Sequence, residues 1–165
     1  QRRRAVRIIC DIPCSFLPAD IWNVSKAYDP ESMKWHRGKW HRGRILDLST
    51  GGLRLLTAAT KFIKNVPSLL VDTSLLLRFT CDSDQMLLVK GLIVRCTEEK
   101  ITVPRSTAQG LSLGISEEII GTVRTVPAFE IGLCFTRIEM CQNDILCSYL
   151  SVLERKQAKE LARKK

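Results

Sequence analysis

Ser74-Leu75-Leu76-Leu77-Arg78-Phe79-Thr80-Cys81, followed by Asp82-Ser83-Asp84-Gln85 and then Met86 through Cys96, is the clearest hairpin in the sequence. Leu75, Leu77, Phe79 and Cys81 share one parity, the period of a strand with one buried face. The Asp/Ser/Gln cluster has the residue types of a tight connection. The returning arm, 86–96, is apolar on both faces and is interrupted at Gly91. A chain that opens this way belongs to a β class.

Working outward, the same alternation recurs. From Arg4 to Phe16, Val6, Ile8, Cys10, Ile12, Cys14 and Phe16 share one parity. Arg7, Asp11 and Ser15 take the other, with Ile9 as an exception. Residues 42–49 and 51–57 read as two short strands joined at Ser49 to Gly52. In 127–138, Phe129, Ile131, Leu133 and Phe135 face in, while Glu130, Gly132 and Thr136 face out. The period then becomes helical: Leu146, Tyr149, Leu150, Leu153, Gln157 and Leu161 predict a C-terminal helix over about 143–163, beginning near Asn143-Asp144. The Lys-, Arg-, Glu- and Ala-rich end from Glu154 reads as a solvated face.

Six strands and one helix fit a mainly β fold, a small antiparallel barrel with the helix packed on it. Closure removes exposed sheet edges. The 165 residues suffice for a single domain spanning 1–165. Its core strands are expected at about 4–16, 42–57, 74–96 and 127–138. Two insertions interrupt it, at about 17–41 and 97–126. The first carries turn signals at Leu17-Pro18-Ala19-Asp20 and Asp29-Pro30-Glu31-Ser32. The second is polar, with Pro104, Gly110, Gly114 and Gly121, and is expected to add little core. Residues 58–73 should form a loop broken by Pro67.

Composition narrows the functional classes. Lys and Arg number 26 against 17 Asp and Glu, a formal charge of +9 that favours an anionic partner. No apolar run is long enough to span a bilayer, and no secretory signal is present. The absence of an initiator Met suggests a processed chain or an excised domain. The seven cysteines form no CxxC pair and fall mostly in apolar strands. They are read as reduced core thiols of a cytoplasmic protein rather than as metal ligands. His36 and His41, five apart without a nearby Cys, do not make a metal site either.

Trp35-His36-Arg37-Gly38-Lys39 is repeated at once as Trp40-His41-Arg42-Gly43-Arg44. This aromatic and basic pair could stack on nucleic-acid bases. The plainer reading, which we prefer, is a basic strand start anchored by two tryptophans.

Two stretches carry the chemistry. Asp47-Leu48-Ser49-Thr50-Gly51-Gly52 sets a carboxylate and a hydroxyl on one side of a strand, because residues two apart point the same way. Its two glycines allow positive φ and close approach to the backbone. Alone, it reads as a turn. Gln1-Arg2-Arg3-Arg4-Ala5-Val6-Arg7 places four guanidinium groups in seven residues, with 1–3 expected to form a mobile arm. Guanidinium forks bind phosphate oxygens and the O6/N7 edge of guanine. A carboxylate at Asp47 could accept from guanine N–H groups.

In combination, Arg3-xxx-Arg7, a strand, then Asp47-x-Ser49-x-x-Gly52 resembles the two-part signature of the PilZ domain family, bacterial receptors for cyclic di-GMP. Gly91 to Arg95 and Ile131 to Phe135 resemble the family's fifth and sixth strands. The resemblance runs from about residue 1 to 160, outside the two insertions. It implies that Arg3 and Arg7 grip guanine and phosphate, with Arg2 assisting. It implies that Asp47 and Ser49 read the guanine and fix the loop, and that Gly52 closes the motif. It further implies that the arm folds over a ligand, often a stacked dimer, and that a downstream protein or adjoining domain reads the change. No metal and no cofactor beyond that ligand is implied. The alternative is a nucleic-acid-binding barrel using the Trp-His-Arg-Gly surface, but it leaves Asp47 unexplained, since a carboxylate repels backbone phosphates. Catalysis is not expected: no spacing sets a nucleophile beside a base, and there is no P-loop and no HExxH.

Overall fold

The computed structural model describes residues 6–18, 40–58, 74–81 and 84–164. Six strands are present among these residues: β1 (Ile8–Pro18), β2 (His41–Leu48), β3 (Gly52–Thr57), β4 (Ser74–Thr80), β5 (Met86–Thr102) and β6 (Thr125–Arg137). A short helix, α1 (Thr107–Ser112), lies between β5 and β6, and a long one, α2 (Met140–Arg163), follows β6. The strands close into a barrel in the order β1-β2-β3-β6-β5-β4, every neighbour antiparallel.

The alternation explains the closure. Ile12, Cys14 and Phe16 of β1, Ile45 of β2, Leu53 and Leu55 of β3, Leu75, Leu77 and Phe79 of β4, Leu87, Val89 and Ile93 of β5, and Ile131 and Leu133 of β6 fill one interior cluster. Each such side chain stabilises the fold by about 1.5–3 kcal/mol on full burial. Leu146 and Leu150 of α2 are buried in the same cluster, so the helix completes the core. The hairpin turn is closed by Cys81 N–H donating to the Gln85 carbonyl at 2.8 Å, and Asp84 adopts a φ of 58°.

Several expectations are corrected. β1 begins only at Ile8, and Val6, though in phase with the core, is 68% exposed. The stretch 97–126 is not coreless. β5 continues to Thr102 and pairs with a β6 that starts at Thr125, with Thr102 opposite Thr125. Val103, Leu113, Ile115, Val126, Ala128 and Ala58 form a second small core under α1. These apolar residues are separated by polar ones, so the core becomes visible only once the strands pair. Arg44 Nη1 donates to Ser112 Oγ at 2.7 Å, fastening α1 to β2.

Helix α2 also starts earlier than expected, at Met140. Its N-cap Glu139 makes no side-chain cap bond. The first turn is held by packing and by Gln142 Oε1, which accepts from Leu88 N–H at 2.9 Å. At the other end Leu161 is 65% exposed, since the helix outruns the barrel. The reading of the cysteines as core thiols holds for Cys14 and Cys81 and is wrong for Cys134, Cys141 and Cys147, which are exposed. Cys134 points outward from β6, and the other two lie on the outer side of α2. None of the seven forms a disulfide. Arg2, Arg3, Arg4, the first Trp-His-Arg-Gly unit and most of the expected loops at 17–34 and 58–73 lie outside the described residues. Among the described residues, no helix is long and apolar enough to cross a membrane.

Candidate functional site

Four irregularities in strand register gather toward one end of the barrel. They lie between Ile9 and Ile12 of β1, between Ile45 and Asp47 of β2, and between Lys90 and Gly91 and between Ile93 and Arg95 of β5. A bulge of this kind re-aims side chains and sharpens the local twist. Here it brings Asp47 opposite both Ile9 and Arg54, and turns Val94 outward. A cleft of about 540 Å³ opens at this end, lined by Arg7, Ser49, Gly51, Gly52, Val94, Leu133 and Cys134.

The turn beside the cleft is built by Ser49. Its Oγ accepts from Gly51 N–H at 3.2 Å and Gly52 N–H at 3.1 Å. Its backbone N–H donates to the Gly52 carbonyl at 2.9 Å. The Gly51 carbonyl in turn accepts from Phe135 N–H at 2.9 Å, tying the turn to β6.

Beneath the rim lies a chain of charges. Arg54 Nε donates to Asp47 Oδ2 at 2.9 Å, and Arg54 Nη1 donates to Glu130 Oε1 at 3.0 Å. Arg95 Nη2 stands 3.6 Å from the same Glu130 oxygen. The hydrogen bond Arg54 donates to Glu130, with the Glu130 and Asp47 charges, raises the pKa of the Arg54 guanidinium above its ordinary value. Asp47 Oδ1 is different. It is buried and has no hydrogen-bond partner among the described residues. Arg7 Nη1 is 3.9 Å from it, an ion pair too long to be a hydrogen bond. A buried acceptor left unsatisfied costs about 1–3 kcal/mol, more when charged. Such a group in a native fold calls for an explanation, and a ligand donor is one. The arrangement suits a planar group with a donor edge for Asp47 and an acceptor edge or negative charge for Arg7.

Of the residues singled out in the sequence, Arg7, Asp47, Ser49 and Gly52 meet at this one end. Arg2 and Arg3 lie outside the described residues. One expected feature changes. Neither Gly51 nor Gly52 has positive φ. A Cβ on Gly52 would lie 2.1 Å from the Leu133 carbonyl oxygen, so close packing of β3 on β6 is what demands glycine there. Ser49 fixes the loop with its own hydroxyl. Trp40 packs with Leu17, Leu76 and Leu88, and the Arg78 guanidinium sits 4.3 Å from its ring centroid. It is an anchor, and that ring face is covered.

Sequence reasoning missed Arg54, Glu130, Arg95, Val94 and Cys134. Glu130 is placed outward by its alternation with Phe129 and Ile131, and Arg54, alternating with Leu53 and Leu55, could have been placed outward in the same way. Their meeting could not, because it needs the β3–β6 pairing.

A family model described as the PilZ domain matches residues 1–151. The chain belongs to the PilZ domain family. Solved structures agree with the fold. The PilZ domain with c-di-GMP of YcgR from Escherichia coli matches with a TM-score of 0.57 at 19% identity, covering 100% of both chains. The inhibitor of motility MotI/DgrA from Bacillus subtilis matches with a TM-score of 0.54 at 14% identity, over 96% of this chain and 53% of that one. The K. pneumonia MrkH-c-di-GMP complex matches with a TM-score of 0.53 at 16% identity, over 100% of this chain and 56% of that one. This PilZ domain therefore spans about half the length of MotI/DgrA and MrkH. No curated protein matches the chain.

Proposed function

We propose that this PilZ domain is a receptor for cyclic di-GMP, and that binding draws the N-terminal arginines onto the barrel. The observation that carries the reading is Asp47 Oδ1, a buried carboxylate oxygen with no hydrogen-bond partner among the described residues and the Arg7 guanidinium 3.9 Å away. Guanine offers N1–H and N2–H on one edge and the O6 and N7 acceptors on another. Asp47 takes the first edge and Arg7 the second. Arg3, with Arg2, binds phosphate, and Ser49 with Gly52 holds the rim against which the ribose-phosphate ring rests.

The ligand is suggested by two structural neighbours, the YcgR PilZ domain and MrkH, whose structures were solved with c-di-GMP. In this reading the protein acts in the cytoplasm, as a switch rather than an enzyme. An ordered arm alters a surface seen by a downstream protein or an adjoining domain. Nucleic-acid binding is the weaker reading, since the Asp47 carboxylate stands 3.9 Å from the Arg7 that lines the cleft and Trp40 is already covered by Arg78.

Calorimetric titration of cyclic di-GMP into the wild type and Arg7→Ala tests the reading. Saturable binding to the wild type, lost in a variant that still unfolds cooperatively, is expected. Equal affinity in both overturns it.

A further inference from the structure

Asp47 has two carboxylate oxygens in unlike situations. Oδ2 is held by Arg54 Nε at 2.9 Å, and Oδ1 has no hydrogen-bond partner among the described residues. An arginine beside a carboxylate ordinarily uses two parallel N–H donors and takes both oxygens. Arg54 does not: Nη2, the donor that pairs with Nε in such a fork, makes no hydrogen bond to Oδ1, and Glu130 Oε1, holding Nη1 at 3.0 Å on the far side, fixes the guanidinium in that orientation.

The fold makes this sharing possible. Arg54 of β3 and Arg95 of β5 both lie opposite Gly132 of β6. A Cβ at Gly132 would already touch Arg95 Cβ at 3.5 Å. The bare backbone leaves a gap over which both guanidinium groups reach Glu130, two residues along the same face. Glu130 is only 20% exposed in its side chain, and the Asp47 side chain 10%, so these pairs are partly shielded from solvent.

We infer that Glu130 is a positioning residue for base selection: by holding Arg54 it prevents a two-point Arg54–Asp47 clamp and keeps Asp47 Oδ1 available to the donor edge of the ligand's base. The inference rests on the receptor reading above. Guanine presents two adjacent donors at that edge, N1–H and N2–H, whereas adenine presents one, N6–H, beside the N1 acceptor, which a carboxylate oxygen repels. The phosphates and sugars of the two cyclic dinucleotides are the same, so arm contacts to phosphate do not discriminate between them. Without the Glu130 charge, Arg54 turns its second donor onto Oδ1, and the acceptor that reads the base is used up.

The test compares cyclic di-GMP and cyclic di-AMP binding, by calorimetry with competition, for the wild type, Glu130→Gln, and Glu130→Gln combined with Arg54→Lys. Lysine is a point donor and cannot clamp both oxygens. Glu130→Gln should reduce the preference for cyclic di-GMP about tenfold, within the range that one good base contact supplies. The added Arg54→Lys should restore most of it. A defect confined to folding would weaken both ligands in the same proportion. That outcome, an unchanged preference in Glu130→Gln, or no recovery with Arg54→Lys overturns the inference. A wild type that binds neither ligand overturns the receptor reading instead.

Discussion

Arg7 and Asp47 face each other at 3.9 Å, one side chain 67% exposed and the other 10%. The pair is close enough for charge attraction and too long for a hydrogen bond. The two groups are held by different elements. Asp47 is fixed in β2 by Arg54, while Arg7 precedes the first residue of β1. A ligand edge with both donors and acceptors satisfies each of them better than they satisfy one another.

The two arginines on Asp47 should therefore differ in what they do for the fold. Arg54→Ala removes a charge-assisted bond to a largely buried carboxylate and releases Glu130. It should lower stability by about 1–2 kcal/mol, a range discounted for the partial exposure of Arg54. Arg7→Ala removes an exposed, long ion pair and should change stability by less than about 0.5 kcal/mol. Urea unfolding of both variants measures the difference, and equal losses would show that Arg54 is not the structural partner.

Glycine 52 should be required for packing. A Cβ would stand 2.1 Å from the Leu133 carbonyl oxygen, and backbone cannot yield as a side-chain tip can. Gly52→Ala should cost about 1–3 kcal/mol through overpacking. Gly51→Ala, whose Cβ meets nothing closer than Ser49 Oγ at 4.0 Å, should be nearly neutral. Thermal unfolding of the pair distinguishes this from a glycine requirement imposed by ligand approach alone.

Cysteine chemistry offers a footprint of the cleft. Burial pushes the Cys14 thiol up to about 12 and the Cys10 thiol up to about 11, so both should resist alkylation near neutral pH. Cys134, Cys141 and Cys147 are exposed and should react. Only Cys134 lines the cleft. Peptide mass spectrometry should find Cys134 protected by cyclic di-GMP, with Cys141 and Cys147 labelled as before. Uniform labelling with and without ligand would remove the nucleotide from this cleft.

Much of the barrel was legible because its strands carry a period of two. Leu75, Leu77 and Phe79 of β4, and Ile131 and Leu133 of β6, are buried as their parity requires. The far end of β5 was not legible, since Glu98, Glu99 and Lys100 are all exposed and show no alternation. Arg7 and Asp47 could be singled out because motif spacing is a local property. Arg54 and Glu130 lie 76 residues apart and meet only because β3 and β6 are neighbours in the ring. Which strands become neighbours is decided by closure of the whole sheet, and no single stretch of sequence records it.

His41, at the start of β2, lies against Phe16 with ring centroids 5.8 Å apart. Burial lowers its pKa below the ordinary 6.5. The fold thus favours the neutral ring, and the unfolded chain takes up the proton first as pH falls. This contribution to stability is fully present above about pH 6.5 and is lost as pH drops through the lower folded value. The melting temperature should fall between about pH 7.5 and pH 5.5, and His41→Gln should flatten part of that slope. An identical slope in the variant would assign the acid sensitivity to other groups.

In the proposed receptor, Asp47 reads the base of a cyclic dinucleotide. Asp47→Asn keeps the shape of the side chain, removes its charge and replaces one acceptor with a donor. Calorimetric titration of cyclic di-GMP into the wild type and this variant, with thermal unfolding of both, is the most direct test. Saturable wild-type binding is expected, with a loss of at least about tenfold in the folded variant, the scale of one base contact. Equal affinity in the two proteins would contradict it.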